Sequence, residues 1–210
     1  MVTMTEVTTS TNGQSTSPLS ASLLTPCRFL GPRMIYTSGV ITSLAEAQTL
    51  EQLQDNKLGL VCSKLNLQPN DHLLDVGCGW GTLAAFAAKN YGCDVTGITL
   101  GKNQTKFGND RIKNNGVTPD KAHILCMDYR EIPGGPSHFT KIVSLEMAEH
   151  IGIRRYGAFM RQMYELLDDD GIFVLQVAGI RPSWQYEDLI WYYLCRVHSS
   201  VTDAAVGVCS

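Results

Sequence analysis

The hydrophobic positions of this chain follow two spacings that alternate along most of its length. Five short apolar runs, each bounded by polar or turn-forming residues, are typical of buried strands. They cover residues 72–76, 94–98, 122–126, 141–145 and 172–177. Between them, longer stretches repeat apolar residues every three or four positions, as amphipathic helices do. These stretches cover residues 44–65, 82–90, 102–114 and 154–167.

The last helical stretch has the clearest pattern, because its large apolar residues share one side. They are Tyr156, Phe159, Met160, Met163, Leu166 and Leu167. We interpret them as core residues rather than as part of a cofactor site. Turns are predicted at residues 69–71, 133–136 and 168–171, where Pro, Gly, Asn and Asp cluster.

Strands that alternate with helices at this spacing predict an α/β fold with a mostly parallel sheet and right-handed crossovers. In such a sheet the ligand binds beyond the carboxyl ends of the strands. Residues that directly follow a strand are therefore the first candidates for a functional site.

A run of glycines at alternate positions follows the first predicted strand. Asp75 closes the apolar run, and Gly77, Gly79 and Gly81 precede the next helical stretch. Because glycine lacks a Cβ and tolerates positive φ, the backbone can approach a ligand closely. The first amides of the next helix add partial positive charge at the same place. This pattern predicts a site for a nucleotide-like cofactor.

Two cofactors and one structural alternative are compatible with the glycine pattern. A dinucleotide fold has G-x-G-x-x-G and an acidic residue about 20 positions later that binds the ribose. Here the third glycine comes one position early, and the second strand runs into Thr99 and Leu100 without a carboxylate. The D-x-G-x-G-x-G form resembles the first motif of class I S-adenosylmethionine (SAM) methyltransferases, which favours SAM over NAD. A tight turn that binds no ligand is the structural alternative.

Composition and charge narrow the functional classes. The formal net charge of the 210 residues is -3, which does not favour nucleic acid as a partner. No apolar run approaches the ~20 residues of a membrane span. The seven cysteines contain no C-x-x-C pair, and the five histidines contain no H-E-x-x-H motif. We therefore expect a reducing, cytoplasmic compartment and no metal site.

Several short motifs occur in order along the chain. They are residues 31–39 (GPRMIYTSG), 75–81 (DVGCGWG), Thr99-Leu100, Gln104, 128–130 (DYR) and 146–150 (EMAEH). Together they resemble the cyclopropane-fatty-acid-synthase family of SAM-dependent lipid methyltransferases, and within it the fungal sphingolipid C9-methyltransferases. The resemblance covers about residues 29–191 and implies a class I SAM-methyltransferase Rossmann-like fold.

This resemblance also divides the chain into three parts. Residues 1–27 are rich in Thr and Ser, and we expect a disordered N-terminal arm there. Residues 28–191 form the expected methyltransferase domain, and residues 192–210 form a divergent C-terminal tail. Because little chain follows the fifth strand, we expect the C-terminal closing strands of the sheet to be incomplete.

The resemblance implies that SAM is the cofactor and that its contacts follow the strand ends. The residues implied near its methionine part are Tyr36, Thr37, Asp75, Gly77, Gly79 and Trp80. Those implied beside the ribose and the adenine are Thr99, Leu100, Gln104, Asp128 and Tyr129. The structural alternatives are packing for Trp80, an ordinary loop for Thr99 and Leu100, and a helix cap or turn for Asp128.

The reaction implied is methyl transfer from a sulfonium to an alkene carbon. The residues implied in catalysis are Tyr36, Ser38, Glu149 and Gln176. A π face such as that of Tyr36 can stabilise the carbocation that methyl transfer leaves. The base of the family is thought to be a bound bicarbonate, held in part by the Glu of the E-H motif, here Glu149. Glu146, three residues earlier, is a second candidate to face the site, from the end of the fourth strand. The alternative for both residues is a helix cap or an ion pair with Arg154 or Arg155.

Two positions depart from the cyclopropane synthases within the family. These enzymes carry Cys where this chain has Ser38, and His where it has Gln176. Ser and Gln can hydrogen-bond an anion, but they do not share the acid–base behaviour of a thiol or an imidazole. We therefore expect simple methylation rather than closure of a cyclopropane ring.

The resemblance thus implies a SAM-dependent C-methyltransferase that acts at C9 of the sphingoid base of a ceramide. The alternatives are a cyclopropane fatty acid synthase, a truncated SAM-binding fragment without activity, and an NAD-dependent oxidoreductase. The expected partner is a lipid, reached by peripheral contact with a membrane on the endoplasmic reticulum face. No nucleic acid partner is expected.

Overall fold

The computed structural model of the chain describes residues 30–36, 38–43, 45–132 and 135–178. Within them, five parallel strands form one sheet in the order β3-β2-β1-β4-β5. The strands are β1 (His72–Val76), β2 (Asp94–Thr99), β3 (Ala122–Cys126), β4 (Phe139–Leu145) and β5 (Leu167–Gln176). The chain builds outward from β1 to β3 and then returns to the other side of β1. The strand order therefore reverses between β1 and β4, where ligands bind in open α/β sheets.

Helices connect the strands on both faces of the sheet. They are α1 (Leu50–Lys64), α2 (Thr82–Tyr91), α3 (Lys102–Asn114) and α4 (Ile153–Leu166). Short 3-10 helices follow β3 at Tyr129–Glu131 and β4 at Ala148–His150. The predicted α/β fold with a parallel sheet is confirmed within the described residues.

The sheet has a hydrophobic core on each face. On one face α1, α2 and α3 bury Leu58, Leu83 and Ile112 against the strands. On the other face α4 buries Phe159 and Met163 against β1 and β4. The interpretation of the α4 pattern as core is therefore confirmed.

The start of the first helix differs from the prediction. The helical pattern was expected over residues 44–65, but α1 begins at Leu50, because Thr49 and Gln52 form a capping box there. Two of the predicted apolar positions, Leu50 and Leu60, are exposed. The buried side of α1 instead contains two polar residues, Gln54 and Lys57. Leu44, the first residue of the expected helix, lies outside the described residues.

The fifth strand also differs from the prediction, because it begins five residues earlier. Leu167 was assigned to the end of the helix, but its extended backbone (φ -80°, ψ 139°) ends α4 and begins β5. Residues 168–171 were predicted as a turn and lie within β5. The register shifts there, so that Phe139 pairs with Leu167 and Lys141 pairs with Ile172. The exposed Asp residues thus form an irregular part of the strand edge.

Other expectations concern parts of the chain outside the described residues. These are the arm at 1–27, the closing strands after β5 and the tail at 192–210. The predicted turn at 133–136 is described only from residue 135 onward. In the described ranges no helix is long and apolar enough to cross a membrane. The same ranges contain no group of His, Cys, Asp or Glu residues suited to hold a metal ion.

Candidate functional site

The glycine loop after β1 lies at the point where the strand order reverses. The amides of Gly77 and Cys78 both donate to the carbonyl oxygen of Ile98, at 3.0 and 2.9 Å, which holds the loop against the end of β2. Gly77 has φ +81°, and a Cβ there would lie 2.5 Å from Cγ of Met147. Gly77 therefore lets the loop pack tightly against the residues that follow β4.

Gly79 has a different environment. Its φ is +54°, and no atom lies within 4 Å of the position where a Cβ would stand. The space beside Gly79 is therefore open, and the predicted approach of a ligand to the backbone at this residue stays a prediction. Gly79 lies directly before Trp80 and the start of α2, whose first amides attract a polar or anionic group.

Asp75 lies beneath this loop and is almost completely buried. It sits on β1 between Gly97 of β2 and Val143 of β4. Its Oδ2 atom has no hydrogen-bond partner among the described residues. Burial without a compensating charge raises the pKa of Asp75 to about 7. Asp75 is thus an unsatisfied polar group directly under the predicted cofactor loop.

The N-terminal segment 30–36, which we call the strap, crosses the start of α2. Leu30 and Met34 are buried against Trp80. The indole N–H of Trp80 donates to the hydroxyl oxygen of Tyr36 at 2.5 Å. The structure therefore brings Tyr36 and Trp80 together beside the glycine loop, and their predicted contacts with the cofactor stay a prediction. Trp80 also packs in a buried cluster, as its structural alternative states, and Thr37 lies outside the described residues.

Arg111 of α3 fixes the strap, although its role was not predicted from the sequence. Its guanidinium donates to the carbonyl oxygens of Pro32 and Arg33, both at 2.9 Å, and also contacts Oγ1 of Thr82. The Oγ1 of Thr82 donates to the same Arg33 carbonyl at 2.5 Å. Arg33 in turn pairs with Asp55 of α1 through two hydrogen bonds of 2.7 and 2.5 Å. These contacts join residues far apart in the chain, so no local pattern reveals them.

A polar pair lies at the carboxyl end of β2. The Oγ1 of Thr99 donates to Oε1 of Gln104 at 2.8 Å. Leu100, the residue after the strand, is 75% exposed. The structure thus brings together Thr99 and Gln104, which were predicted beside the ribose, and leaves Leu100 open to a ligand.

Asp128 and Tyr129 follow β3 at the same edge of the sheet. Asp128 caps the 3-10 helix through the backbone N–H of Arg130 and pairs with the guanidinium of Arg130 at 2.8 and 2.6 Å. The hydrogen bonds from Arg130 lower the pKa of Asp128 to about 2. Tyr129 packs edge-on against Phe159, with ring centroids 5.4 Å apart. The cap alternative therefore describes the contacts of Asp128, and its predicted contact with adenine stays a prediction.

The ends of β4 and β5 carry a second polar group that includes Gln176. The Nε2 of Gln176 donates to Oε1 of Glu146 at 2.5 Å, and the Nζ of Lys57 lies 3.5 Å from the same oxygen. The backbone N–H of Glu146 donates to the carbonyl oxygen of Gln176 at 2.8 Å. Glu146 therefore pairs with Lys57, and the alternative pairing with Arg154 or Arg155 is not what the structure shows.

The contact of Lys57 with Glu146 was not predicted from the sequence. Its sequence signal is a lysine at a position of α1 that lies in phase with Leu58, Val61 and other buried residues of the helix. A lysine that is only 5% exposed is unusual and requires a partner. The sequence does not reveal that this partner is Glu146, because α1 and β4 are remote in the chain.

Glu149 and Ser38 are both exposed residues. The Oε1 of Glu149 accepts a hydrogen bond from the backbone N–H of Ala178 at 2.5 Å. Among the described residues, no hydrogen bond joins Ser38 to Glu149 or to Gln176. The predicted catalytic residues are thus not assembled into one hydrogen-bonded site.

The bicarbonate expected from the family resemblance does not fit this arrangement. Gln176, one of its expected donors, already donates to the carboxylate of Glu146. A second anion placed beside that carboxylate would be repelled, since like charges at close range destabilise each other. The side-chain amide of Gln176, which was expected to bind bicarbonate, therefore binds the carboxylate of Glu146 instead.

Comparison with known proteins was consistent with the observed fold and glycine loop. A family model described as mycolic acid cyclopropane synthetase matches residues 10–188. Sphingolipid C9-methyltransferase A of Emericella nidulans is 60% identical over 78% of this chain and 32% of that protein. Sphingolipid C9-methyltransferase of Komagataella phaffii is 57% identical over 78% of this chain and 35% of that protein. The chain thus spans about a third of the length of these curated relatives.

A solved structure supports the same relationship. The mycolic acid cyclopropane synthase CmaA1, crystallised with SAH and CTAB, superposes with a TM-score of 0.67 and 29% identity. The match covers 81% of this chain and 59% of that protein.

Proposed function

The chain belongs to the mycolic acid cyclopropane synthetase family, and from this premise we propose that it is a SAM-dependent methyltransferase that acts on a lipid. The observation that carries the proposal is the open backbone at Gly79, beside the Trp80–Tyr36 hydrogen bond and at the reversal of the strand order. This arrangement offers space and backbone amides to a compact cofactor. The 60% identity to a protein named sphingolipid C9-methyltransferase A supports C9 of a sphingoid base as the acceptor.

The cofactor contacts of the proposal follow the strand ends around this loop. When bound, SAM supplies an electrophilic methyl group on a sulfonium. Gly77, Gly79, Trp80 and Asp75 would hold its methionine part, with Tyr36 and Thr37 covering it from the strap side. Thr99, Leu100 and Gln104 would contact its ribose, and Asp128 and Tyr129 its adenine. The Thr99–Gln104 pair supports this assignment, because it offers polar atoms where no carboxylate follows β2.

The chemical step requires a dry, aligned site, because an isolated alkene is a poor nucleophile. We assign the aromatic face of Tyr36 to the carbocation that forms on the lipid, since a π face attracts a positive charge. The carboxylate of Glu149 would stabilise the same charge by electrostatics. Ser38 and Gln176 would line the acceptor side of the site.

The reaction's outcome depends on which proton leaves the lipid after methyl transfer. Loss of a proton from the chain leaves a methyl-branched alkene, whereas loss from the new methyl group closes a cyclopropane. We propose the methyl-branched product, because Ser38 and Gln176 replace the Cys and His of cyclopropane synthases and do not share their acid–base behaviour.

Access to the lipid would occur by peripheral contact with a membrane, on the face of the endoplasmic reticulum. Ile153 and Val177 are 60% and 44% exposed, and they follow β4 and β5 at the carboxyl edge of the sheet. Exposed apolar side chains near a site are suited to contact a lipid surface. Flotation with ceramide-containing vesicles tests this part, and an Ile153→Ser/Val177→Ser variant should float less than the unaltered chain.

A methylation assay tests the proposed function. The purified chain is incubated with SAM carrying an isotopically labelled methyl group and with a Δ8-unsaturated ceramide, and the lipids are analysed by mass spectrometry. We expect labelled, methyl-branched sphingoid base. A labelled cyclopropane acyl chain from unsaturated phospholipid would instead identify a cyclopropane synthase. Binding of SAM without any labelled lipid would identify a fragment that binds the cofactor and lacks activity.

A further inference from the structure

A charged cluster at the ends of β4 and β5 has no role in the cofactor contacts proposed above. It consists of Lys57, Glu146 and Gln176, and we call it the carboxylate cluster. Lys57 Nζ and Gln176 Nε2 both contact Oε1 of Glu146, at 3.5 and 2.5 Å. The Oε2 atom has no partner among the described residues, and the Glu146 side chain is 31% exposed. Within the part of the chain that the structure describes, the cluster therefore presents one carboxylate oxygen without a hydrogen-bond partner at the carboxyl edge of the sheet.

Glu146 lies next in sequence to the residue that packs against the glycine loop. Glu146 has φ +56°, a left-handed conformation that is uncommon for a residue with a Cβ. Strain of this kind is retained where the surrounding structure fixes it, and it occurs frequently at functional sites. The next residue, Met147, fills the space beside Gly77. Glu146 is thus held one residue from the contact between β4 and the cofactor loop.

We propose that Glu146 is the base of the reaction and that its carboxylate takes the place of a bound bicarbonate. This inference rests on the proposed function, because it assumes methyl transfer to an alkene. Its structural basis is that Gln176, which would hold an external anion, already holds the carboxylate of Glu146. Lys57 supplies the positive charge that any anion at this place requires.

The π electron pair of the alkene forms the new bond to the methyl carbon while the methyl–sulfonium bond breaks and its electron pair stays on sulfur. A positive charge is left on the neighbouring alkene carbon. After a hydride shift, a C–H bond next to the charge breaks, and its electron pair forms the new double bond. The proton forms an O–H bond with Oε2 of Glu146 and then leaves to solvent at the exposed side of the carboxyl group. Glu146 thereby returns to its ionised state.

Lys57 and Gln176 are positioning residues in this scheme, since both act through Glu146. Lys57 is 5% exposed, and the carboxylate of Glu146 offsets part of the cost of burying its ammonium. The ion pair and the hydrogen bond fix Oε1 and so leave Oε2 as the oxygen that faces a substrate. When a lipid displaces water from the site, the attraction between Lys57 and Glu146 increases, because the local dielectric constant falls.

Anion binding tests this inference without any need for activity. Bicarbonate is titrated into the unaltered chain, Glu146→Gly and the double variant Glu146→Gly/Lys57→Met, with binding read by calorimetry and by the shift in melting temperature. Glycine suits the left-handed backbone at this position and leaves a cavity beside Lys57 and Gln176. We expect no saturable binding to the unaltered chain, binding to Glu146→Gly, and at least a tenfold loss, by about 1.4 kcal/mol or more, in the double variant.

The bicarbonate titrations of the unaltered chain and of Glu146→Gly can each overturn the inference. Saturable bicarbonate binding to the unaltered chain would show that the external anion has its own site. A folded Glu146→Gly variant that does not bind bicarbonate would show that the Glu146 carboxylate does not occupy an anion site. Because Glu146→Gly removes the partner of a buried lysine, its melting temperature is measured first. The titration of the unaltered chain is decisive even if that variant does not fold.

Turnover provides an independent test. Removal of dissolved carbon dioxide and bicarbonate should leave the methylation rate of the unaltered chain unchanged. The Glu146→Gln change should lower kcat by about 100-fold or more, and the KM for SAM should stay nearly constant. Added bicarbonate should restore part of the rate of Glu146→Gly and none of that of Glu146→Gln, whose amide fills the cavity. The exposed Glu165→Gln change on α4 is the control. Methylation that depends on bicarbonate in the unaltered chain would refute the role of Glu146, whereas absence of methylation on any lipid would refute the proposed function.

Discussion

At the scale of single residues, Gly79 gives the most direct test of the cofactor loop. Gly79→Val places a branched side chain in the open space beside the backbone, so SAM affinity should fall by about two orders of magnitude. Gly116→Val is the matched control, since Gly116 also has a positive φ (+77°) and open space but follows α3, before β3. The Gly116→Val variant has the same kind of strain, a branched residue at positive φ, and should retain its affinity for SAM. Equal loss in both variants would show that strain, not a blocked site, explains the effect.

The second residue-scale prediction concerns Glu149. Glu149→Gln keeps an oxygen that can accept from the backbone N–H of Ala178 but removes the negative charge. Turnover should fall by about tenfold or more if this charge stabilises the carbocation, while SAM affinity should stay within about threefold. Steady-state kinetics and calorimetry measure the two quantities separately. A variant with unchanged turnover would remove Glu149 from the proposed site.

The third residue-scale prediction concerns the pH dependence of stability. Burial raises the pKa of Asp75 from its ordinary value of 3.8 to about 7 in the folded chain, so the folded state holds the proton more tightly. The stabilisation of the folded state by the protonated Asp75 carboxyl group is therefore fully present below pH 3.8 and is lost as the pH rises toward 7 and above. Between pH 5.5 and 8, the unfolding free energy of the unaltered chain should fall by about 2 kcal/mol relative to Asp75→Asn.

Urea denaturation at the two pH values measures this difference. The exposed Asp120→Asn change is the control and should follow the unaltered chain. If Asp75→Asn shows the same pH dependence as the unaltered chain, the buried carboxyl group of Asp75 does not titrate in this range.

At the scale of elements, the strap 30–36 depends on one side chain of α3. Arg111→Met removes the donors to the carbonyl oxygens of Pro32 and Arg33, so the strap should loosen and SAM affinity should fall severalfold. Trypsin cleavage after Arg33, read by mass spectrometry, should become faster in the variant and slower again when SAM is added. Lys113→Met, an exposed change on the same helix, should alter neither. A strap that is cleaved at the same rate in all three proteins would contradict its attachment by Arg111.

Local patterns predicted the middle of each element better than its ends. The strands β1 and β3 have the predicted bounds, because polar or turn-forming residues border their apolar runs. The start of α1 was wrong, because the Thr49–Gln52 capping box decides it rather than the apolar spacing. The start of β5 was wrong, because its first residue pairs with Phe139 although three Asp residues follow it. Pairing between remote strands has no local sequence signal.

At the scale of the whole molecule, the parallel α/β architecture could be predicted because strand and helix patterns alternate regularly. The same topology brings the strand ends to one edge, and the structure joins Thr99 to Gln104 and Tyr36 to Trp80 by hydrogen bonds. Lys57 and Arg111 could not be predicted, because each acts on a segment far away in the chain. The ligand contacts and the catalytic roles of the site residues remain predictions.

The proposed function depends on the glycine loop binding a sulfonium cofactor rather than a dinucleotide. Isothermal titration of the folded chain with SAM, its demethylated product and NAD distinguishes the two. We expect saturable heat with SAM and with the demethylated product and none with NAD. The reason is that no carboxylate follows β2 to bind the ribose of a dinucleotide. Saturable heat with NAD, together with none for SAM or its product, would contradict it.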